Sequence, residues 1–222
     1  MIAVAPSILA ADFTQLGEEV RRAAQGGANR IHVDVMDGHF VPNLSMGPNV
    51  VQALRPITAL PLEVHLMIDN PERFIEPFVR AGSDTIIVHL EVLDDPRPLL
   101  RRIRGHGRRA GVAVKPATPI DRLAPFLPEM DLALCMTVDP GFGGQAFLPE
   151  SPPRIRRLRQ LLDKYNPQCD LEVDGGIDLH TAPVAVEAGA NVLVAGTAIF
   201  RSPTGPTEAV RAMRRQVSEA AD

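Results

Sequence analysis

The 222-residue chain has only two cysteines, no long apolar run and no strong excess of either charge. The cysteines, Cys135 and Cys169, lie in apolar stretches without metal-ligand spacing, so we expect reduced thiols. A formal net charge of -4 gives no reason to expect nucleic acid or an acidic membrane surface as a partner. No apolar run approaches the ~18 residues of a membrane span, and residues 1–11 lack the basic segment of a signal peptide. We therefore expect a soluble cytoplasmic protein.

Short β-branched segments alternate with longer amphipathic segments along the chain. The short segments predict eight strands, at residues 2–8, 30–36, 61–68, 84–90, 110–115, 131–138, 169–174 and 191–195. The spacers predict helices at residues 15–25, 71–81, 96–107, 153–165 and 179–188, with short helical pieces at 50–55 and 120–126. Strands separated by crossovers pair in parallel, and eight of them favour closure into a barrel. No linker divides the chain, so the predicted fold is a single (β/α)8 TIM barrel over residues 1–222.

Three of the predicted strands carry polar residues at alternate positions. Buried parallel strands are normally apolar throughout, and side chains two residues apart share a face. The polar set of each strand can therefore face the barrel interior while the apolar set faces the helices. An antiparallel sheet with one wetted face would also alternate, but the helical spacers disfavour it. The interior positions would be His32, Asp34 and Met36, then Glu63, His65 and Met67, then Asp170, Glu172 and Asp174.

Two histidines and two aspartates of this interior set lie near the C-terminal ends of their strands, where barrel active sites are built. A histidine taken alone is more often a hydrogen-bonded core residue than a ligand. Buried carboxylates are costly without a compensating cation, and imidazole with carboxylate suits Zn, Fe(II), Mn or Co better than Mg or Ca. The spacing therefore predicts one divalent transition metal, bound by His32, Asp34, His65 and Asp174.

Glycine-rich loops follow the last three predicted strands. They are residues 139–145, the pair Gly175-Gly176, and Gly196 with its neighbour Thr197. Glycine lets backbone N–H groups approach an anion closely, and the loops after strands 7 and 8 often bind phosphate in this architecture. A single Gly-Gly pair means little, since tight turns use it widely. Together these loops predict a phosphorylated ligand.

Six segments of the chain resemble ribulose-phosphate 3-epimerases. They are APSIL at 5–9, HVDVMDGHFVPN at 32–43, VHLM at 64–67, HLE at 89–91, MTVDPGFGGQ at 136–145 and EVDGG at 172–176. They occur in family order over nearly the whole chain, and the segment at 32–43 is highly specific. The resemblance implies a (β/α)8 barrel enzyme of the pentose phosphate pathway that interconverts D-ribulose 5-phosphate and D-xylulose 5-phosphate.

The family pattern also implies roles for individual residues. Its metal ligands fall on the same four residues that the strand alternation selects, and Asp34 and Asp174 would be the acid/base groups on opposite faces of the substrate. Three methionines would line the reacting centre, unless they simply fill the core, and glycines with Thr197 would hold the phosphate. We also expect a homo-oligomer. The implied substrate contacts are Ser7, His65, Met36, Met67, Met136, Gly143, Gly144, Gly175, Gly176, Gly196 and Thr197.

The implied reaction removes a weakly acidic proton from C3, beside the C2 carbonyl, and returns one to the other face. The metal would stabilise the enediolate as a Lewis acid, and the two aspartates would move the protons. Asp37 also resembles a candidate base, but turn chemistry before Gly38 explains it. Three positions depart from the commoner family pattern. Glu63 stands where Asp is frequent, Asp139 where Asn or Glu is frequent, and Thr197 where Ser is frequent. The charge of Asp139 leaves the contacts of the glycine loop open.

Three alternatives share this barrel. A 3-epimerase of a hexulose 6-phosphate, such as allulose 6-phosphate, would use the same chemistry on a longer substrate. A phosphosugar decarboxylase of this type carries Asp-x-Lys-x-x-Asp on its strand, whereas this strand carries His32 and Asp34, and Lys115 and Lys164 lie elsewhere. A non-catalytic barrel that binds sugar phosphate would not need paired bases such as Asp34 and Asp174.

Overall fold

A computed structural model describes residues 2–219, with side chains to residue 218. All eight predicted strands are present, each beginning within one residue of its predicted start. Short runs rich in apolar residues between the amphipathic segments mark the strands, so their positions follow closely from the sequence pattern. The strands are β1 Ala3–Pro6, β2 Ile31–Met36, β3 Leu62–Met67, β4 Thr85–His89, β5 Arg109–Val114, β6 Leu132–Met136, β7 Asp170–Asp174 and β8 Val192–Ala195.

Helices occupy most of the connections between strands. The predicted helix at 71–81 is divided into a 3-10 turn, Pro71–Arg73, and an α-helix. The piece at 120–126 forms only the 3-10 helix Ile120–Leu123. The last two helices were not among those predicted. The α-helices are α1 Leu16–Gln25, α2 Pro48–Leu54, α3 Ile75–Ala81, α4 Arg97–Gly105, α5 Ser151–Tyr165, α6 Thr181–Glu187, α7 Thr197–Phe200 and α8 Gly205–Glu219.

The helix α4 illustrates how the sequence forms these elements. Leu99, Leu100 and Ile103 are buried and form one apolar stripe, because residues three and four apart lie on the same side of a helix. The helix begins directly after Pro96, where the missing N–H of a proline does no harm. It ends before Gly107, which adopts a φ of 71° that other residues rarely accept.

The strands form one parallel sheet in the order β1-β8-β7-β6-β5-β4-β3-β2. Between β1 and β2 the sheet is joined by a parallel bridge from Ser7 to His32. The backbone N–H of Asn29 donates to the carbonyl oxygen of Val4, and the amide oxygen of Asn29 accepts the N–H of Val4, both at 2.9 Å. The result is the nearly closed eight-stranded barrel that the alternation of strands and helical segments predicts.

The strand β2 is buried on both faces, and its two faces differ as expected. Val33 belongs to the main apolar core between barrel and helices, while His32 and Asp34 are buried inside the barrel. Neither cysteine, both within residues 2–219, forms a disulfide. Burial raises the pKa of the Cys135 and Cys169 thiols to about 11 and about 12. Among the described residues, no helix is both long and apolar enough to span a bilayer.

Candidate active site

Four side chains from β2, β3 and β7 converge inside the C-terminal rim of the barrel. His32 Nε2 lies 3.3 Å from Asp34 Oδ1 and 3.4 Å from His65 Nδ1. His65 Nδ1 lies 3.0 Å from Asp34 Oδ1 and 3.7 Å from Asp174 Oδ2. One ligand atom from each residue lies within 4.8 Å of the others. The structure therefore brings together all four residues that the strand alternation selects, and we call this group the cage.

Strand register explains why the cage forms. Asp34 and His65 are direct partners across the β2–β3 pair, so their side chains enter the interior at the same level. Asp174 ends β7, which is separated from β2 by β8 and β1 in the sheet order. The two aspartates therefore approach the cage from well-separated parts of the barrel wall.

Asp34 and Asp174 have opposite preferences for a proton. Burial alone would raise the pKa of Asp34, but the charge and hydrogen bond of His32 hold that pKa well below its usual range. Burial and the negative charge of Asp34 raise the pKa of Asp174 to about 7. Ser7 Oγ also donates a 2.5 Å hydrogen bond to Asp34 Oδ2, which favours the ionised form. An ionised carboxylate beside a proton-holding one is a typical acid/base pair.

A charged layer lies one step deeper in the barrel. His32 Nδ1 lies 3.0 Å from Glu63 Oε1 and 3.3 Å from Glu172 Oε1. Arg30 Nη1 donates to Glu63 Oε2 at 2.9 Å. Burial and the charge of Glu63 raise the pKa of Glu172. His32, Glu63 and Glu172 are also close enough to hold an ion, and the Arg30 guanidinium compensates the Glu63 carboxylate of this layer. The carboxylates of this layer accept a hydrogen bond from His32 Nδ1 and leave Nε2 directed into the cage.

A second support lies behind His65 and was missed by sequence reasoning. His65 Nε2 lies 2.9 Å from His89 Nε2, and His89 Nδ1 lies 3.0 Å from Glu91 Oε2. His89 ends β4 and is fully buried. The interior face of β4 does not carry polar residues at successive positions, so no polar–apolar alternation in this strand indicates a role for His89. The segment HLE contributed to the family resemblance, but neither His89 nor Glu91 received a role from it.

A cavity of about 60 Å³ opens beside the cage. Asp34 and Asp174 line it, and so do ten of the eleven predicted substrate contacts. The exception is His65, which is fully buried and does not line the cavity; its Nδ1 faces the other cage residues and its Nε2 contacts His89. The ten are Ser7, Met36, Met67, Met136, Gly143, Gly144, Gly175, Gly176, Gly196 and Thr197.

Two further aspartates, Asp37 and Asp139, do not line this cavity. Asp37 Oδ1 accepts the N–H groups of His39 and Phe40, and its Oδ2 accepts that of Asp69. Turn formation therefore explains Asp37, as the sequence indicated. Asp139 is exposed, and only its backbone carbonyl contacts the glycine loop, by accepting from the Gln145 amide. The Asp139 side chain is thus not part of the cavity lining.

The loop after β7 requires glycine for a steric reason. Gly176 has a φ of 66°, and a Cβ there would lie 2.3 Å from the backbone nitrogen of Phe147. At Gly175, with a φ of 121°, a Cβ would lie 2.4 Å from Val138 Cγ2. These two residues let the loop after β6 pack directly on the loop after β7. The glycines therefore close the cavity on the side predicted to bind phosphate.

Comparison with known proteins agrees with this geometry. The model of the ribulose-phosphate 3 epimerase family matches residues 3–200. A ribulose-phosphate 3-epimerase from Bacillus subtilis is 48% identical over 201 residues, covering 90% of this chain and 93% of the relative. Another, from Synechocystis sp., is 50% identical over 204 residues, covering 91% of this chain and 89% of the relative. The chain belongs to the ribulose-phosphate 3-epimerase family.

Solved structures of lower identity share the barrel. An orotidine 5'-phosphate decarboxylase from Pyrococcus horikoshii superposes with a TM-score of 0.70 at 19% identity, covering 97% of this chain and 99% of that one. At this identity the likeness shows the fold alone. The segments 32–43 and 172–176, which carry much of the resemblance to ribulose-phosphate 3-epimerases, contain three of the four cage residues. The family match and the cage therefore lead to the same part of the molecule.

Proposed function

We propose that this member of the ribulose-phosphate 3-epimerase family interconverts D-ribulose 5-phosphate and D-xylulose 5-phosphate by inverting C3. The observation that carries the proposal is the pair of aspartates that line one small cavity from β2 and β7. Inversion needs a proton acceptor on one face of C3 and a donor on the other. A barrel that only binds sugar phosphate would gain nothing from two buried carboxylates with opposite proton preferences.

In this proposal Asp34 removes the C3 proton and Asp174 delivers one to the opposite face, with the roles exchanged in the reverse direction. Asp34 is suited to accept because His32 and Ser7 keep it ionised. Asp174 is suited to serve the opposite face because it lines the same cavity from β7, away from Asp34 on β2. As a ligand of a metal it would be ionised, so the proton that it delivers would be one taken up from solvent.

We further propose that the cage holds one divalent transition metal. Two imidazole nitrogens and two carboxylate oxygens within 4.8 Å of one another suit Zn, Fe(II), Mn or Co. The outer nitrogens of His32 and His65 are already hydrogen-bonded, which is the usual arrangement behind a metal-bound histidine. When bound, the metal would supply Lewis-acid stabilisation of negative charge on a substrate oxygen.

The three methionines of the cavity form an apolar wall. Met36 and Met67 are almost fully buried and form, with Val41, a small cluster separate from the main core. Met136 belongs to the interior cluster of β5 and β6 rather than to the layer under the helices. This separation supports a role in shaping the cavity over simple filling of the core. Thioethers would exclude water there without adding a charge that competes with the aspartates.

A substrate panel tests the proposal directly. We expect D-ribulose 5-phosphate to be epimerised faster than hexulose 6-phosphates such as allulose 6-phosphate, with metal content measured on the same sample. A clear preference for a hexulose 6-phosphate would replace the proposed substrate while keeping the chemistry. Metal bound at one ion per chain with no turnover of any ketose phosphate would favour a binding protein instead. Self-association stays a prediction, because the structure contains one chain.

Phosphate binding by the glycine loops leads to a first prediction. Gly176→Ala is expected to raise KM for D-ribulose 5-phosphate roughly tenfold or more, because a strained φ and a backbone clash displace the loop. Free D-ribulose should be a very poor substrate of the unaltered protein, since remote binding energy supports the chemical step. Steady-state kinetics with both substrates measure the two effects.

A matched control is available at Gly107. Its φ is 71°, close to that of Gly176, but a Cβ there would meet nothing within 4 Å. Gly107→Ala should therefore carry the backbone strain without touching the cavity, and its KM should stay near that of the unaltered protein. An unchanged KM in Gly176→Ala, or equal turnover of ribulose and its 5-phosphate, would remove the phosphate assignment.

Cation binding in the cage should release protons, which gives a second prediction. The pKa of Asp174 is about 7. Burial alone would lower the pKa of His32, but Asp34 and the deeper carboxylates outweigh it and hold that pKa well above its usual value. Below pH 7 both groups hold protons that a ligand must lose. We expect about two protons to be released per zinc ion at pH 6, and the apparent affinity for zinc to rise with pH.

Calorimetric titration of zinc into the protein, in two buffers of different ionisation enthalpy, measures this number. The sign is fixed: protons compete with the cation, so affinity falls as pH falls through the pKa of Asp174. The same titration at pH 8 should release fewer protons than at pH 6. Binding without proton release at pH 6 would exclude Asp174 and His32 as the ligands.

A further inference from the structure

A line of hydrogen bonds connects the cage to the loop after β5. His65 Nε2 contacts His89 Nε2 at 2.9 Å, and His89 Nδ1 contacts Glu91 Oε2 at 3.0 Å. The other carboxylate oxygen, Oε1, accepts the backbone N–H of Lys115 at 2.7 Å and the hydroxyl of Thr118. We call this line the His65 relay.

With both imidazoles neutral, only one placement of protons satisfies every contact of this relay. The backbone N–H of Lys115 can only donate, so Glu91 serves as an acceptor at that end. As a carboxylate, Glu91 also accepts at Oε2, which places a proton on Nδ1 of His89. A neutral imidazole carries one proton, so Nε2 of His89 must accept from Nε2 of His65.

The consequence falls on the inner nitrogen of His65. With its proton on Nε2, the ring presents a lone pair at Nδ1, the atom 3.0 Å from Asp34 Oδ1 and 3.7 Å from Asp174 Oδ2. Both His65 and His89 are fully buried, which disfavours an additional proton on either ring. A lone pair directed at two carboxylates is repulsive unless a cation lies between them.

We propose that Glu91 is a positioning residue that acts through His89 to fix the tautomer of His65, so that Nδ1 of His65 is a ligand atom. This inference rests on the proposed metal site and adds to it the residue that prepares one ligand. Glu91 lies outside the cage and does not line the cavity.

The loop that holds Glu91 is itself fixed. Arg154 of α5 donates to the carbonyl oxygens of Lys115 at 2.9 Å and Thr118 at 3.0 Å. The Lys115 N–H therefore cannot easily turn away from Glu91. The other histidine is less dependent on a single partner, because both Glu63 and Glu172 lie within 3.3 Å of His32 Nδ1.

This geometry makes Glu91→Gln an informative change. The fixed N–H of Lys115 selects the amide oxygen of the glutamine for the Oε1 position, which leaves the amide NH2 facing His89 Nδ1. That nitrogen must then accept, so the proton of His89 moves to Nε2 and the proton of His65 moves to Nδ1. The ligand nitrogen of His65 would thereby be blocked although no cage residue has changed.

The test uses the full-length protein, stripped of metal and labelled with 15N. Ring 15N chemical shifts distinguish a protonated from an unprotonated imidazole nitrogen. In the unaltered protein we expect the proton on Nε2 of His65 and on Nδ1 of His89. In Glu91→Gln we expect both to be reversed, with zinc affinity lowered on the order of 10- to 100-fold in a competition titration.

Asp37→Asn is the matched control, since Asp37 also holds a loop of the same rim through backbone N–H groups but has no contact with the relay. It should leave both tautomers and zinc affinity unchanged, which separates the relay from general loosening of the rim. Unaltered ring shifts in folded Glu91→Gln, or a proton on Nδ1 of His65 in the unaltered protein, would overturn the inference. If the tautomers reverse as expected while neither protein binds zinc, the relay stands and the proposed metal site fails.

Discussion

Asp174→Asn is expected to lower epimerisation of D-ribulose 5-phosphate by on the order of 10²- to 10⁴-fold, the usual contribution of a general acid or base. Asparagine keeps the size of the side chain and one ligand oxygen, so metal can remain bound while the group that carries the proton is lost. The effect should fall on kcat, because the substitution changes proton transfer more than substrate binding. Progress curves with metal content measured on the same sample give the result.

Asp37→Asn provides the comparison for this prediction. Asp37 lies on the same rim and its carboxylate accepts three backbone N–H groups, but it does not line the cavity. We expect that variant to lose about 1 kcal/mol or more of stability and to keep epimerase activity. Near-normal epimerisation by Asp174→Asn with metal confirmed would contradict the two-base account. Asp34 or a water molecule would then have to serve both faces of C3.

Removal of metal is expected to lower epimerisation roughly 10³-fold or more, since Lewis-acid stabilisation contributes several kcal/mol. The protein should carry close to one transition metal per chain as purified, measured by elemental analysis. Dialysis against a chelator should abolish turnover, and Zn, Co, Mn or Fe(II) should restore it.

Magnesium and calcium serve as controls for this experiment. The two imidazoles of the cage are poor ligands for these ions, so neither should restore activity at concentrations where cobalt does. The fold should survive chelation, because the cage lies in a barrel held by eight paired strands and an extensive apolar core. Full activity in a demonstrably metal-free sample would refute the cage as a metal site.

The fold could be predicted well from the sequence because strands and helices have different periods. Short strand-like runs between the helical segments located all eight strands within one residue at their starts. The connection after β5 was harder to predict, because residues 120–126 are too few for their pattern to distinguish a 3-10 helix from an α-helix. The helix Gly205–Glu219 was not predicted, because it follows β8 and does not lie between two predicted strands.

The cage could be predicted because strands β2, β3 and β7 carry polar residues at alternate positions. The residues behind the cage could not be assigned in the same way. Arg30 precedes β2, and its contact with Glu63 depends on strand register. His89 is not part of a polar series in β4, and its contact with His65 exists only because β3 and β4 are neighbours in the barrel. Such contacts between strands are properties of the closed barrel and have no local signature in the sequence.

Deuterium incorporation tests the central claim most directly. D-Ribulose 5-phosphate is incubated with the protein in heavy water, and the products are examined by proton NMR and mass spectrometry. Because the proton that reaches C3 comes from an aspartate that exchanges with solvent, D-xylulose 5-phosphate should form with one deuterium, located at C3, and with protium kept at C4. Formation of D-xylulose 5-phosphate with its original C3 hydrogen, or no formation of it at all, would contradict the account.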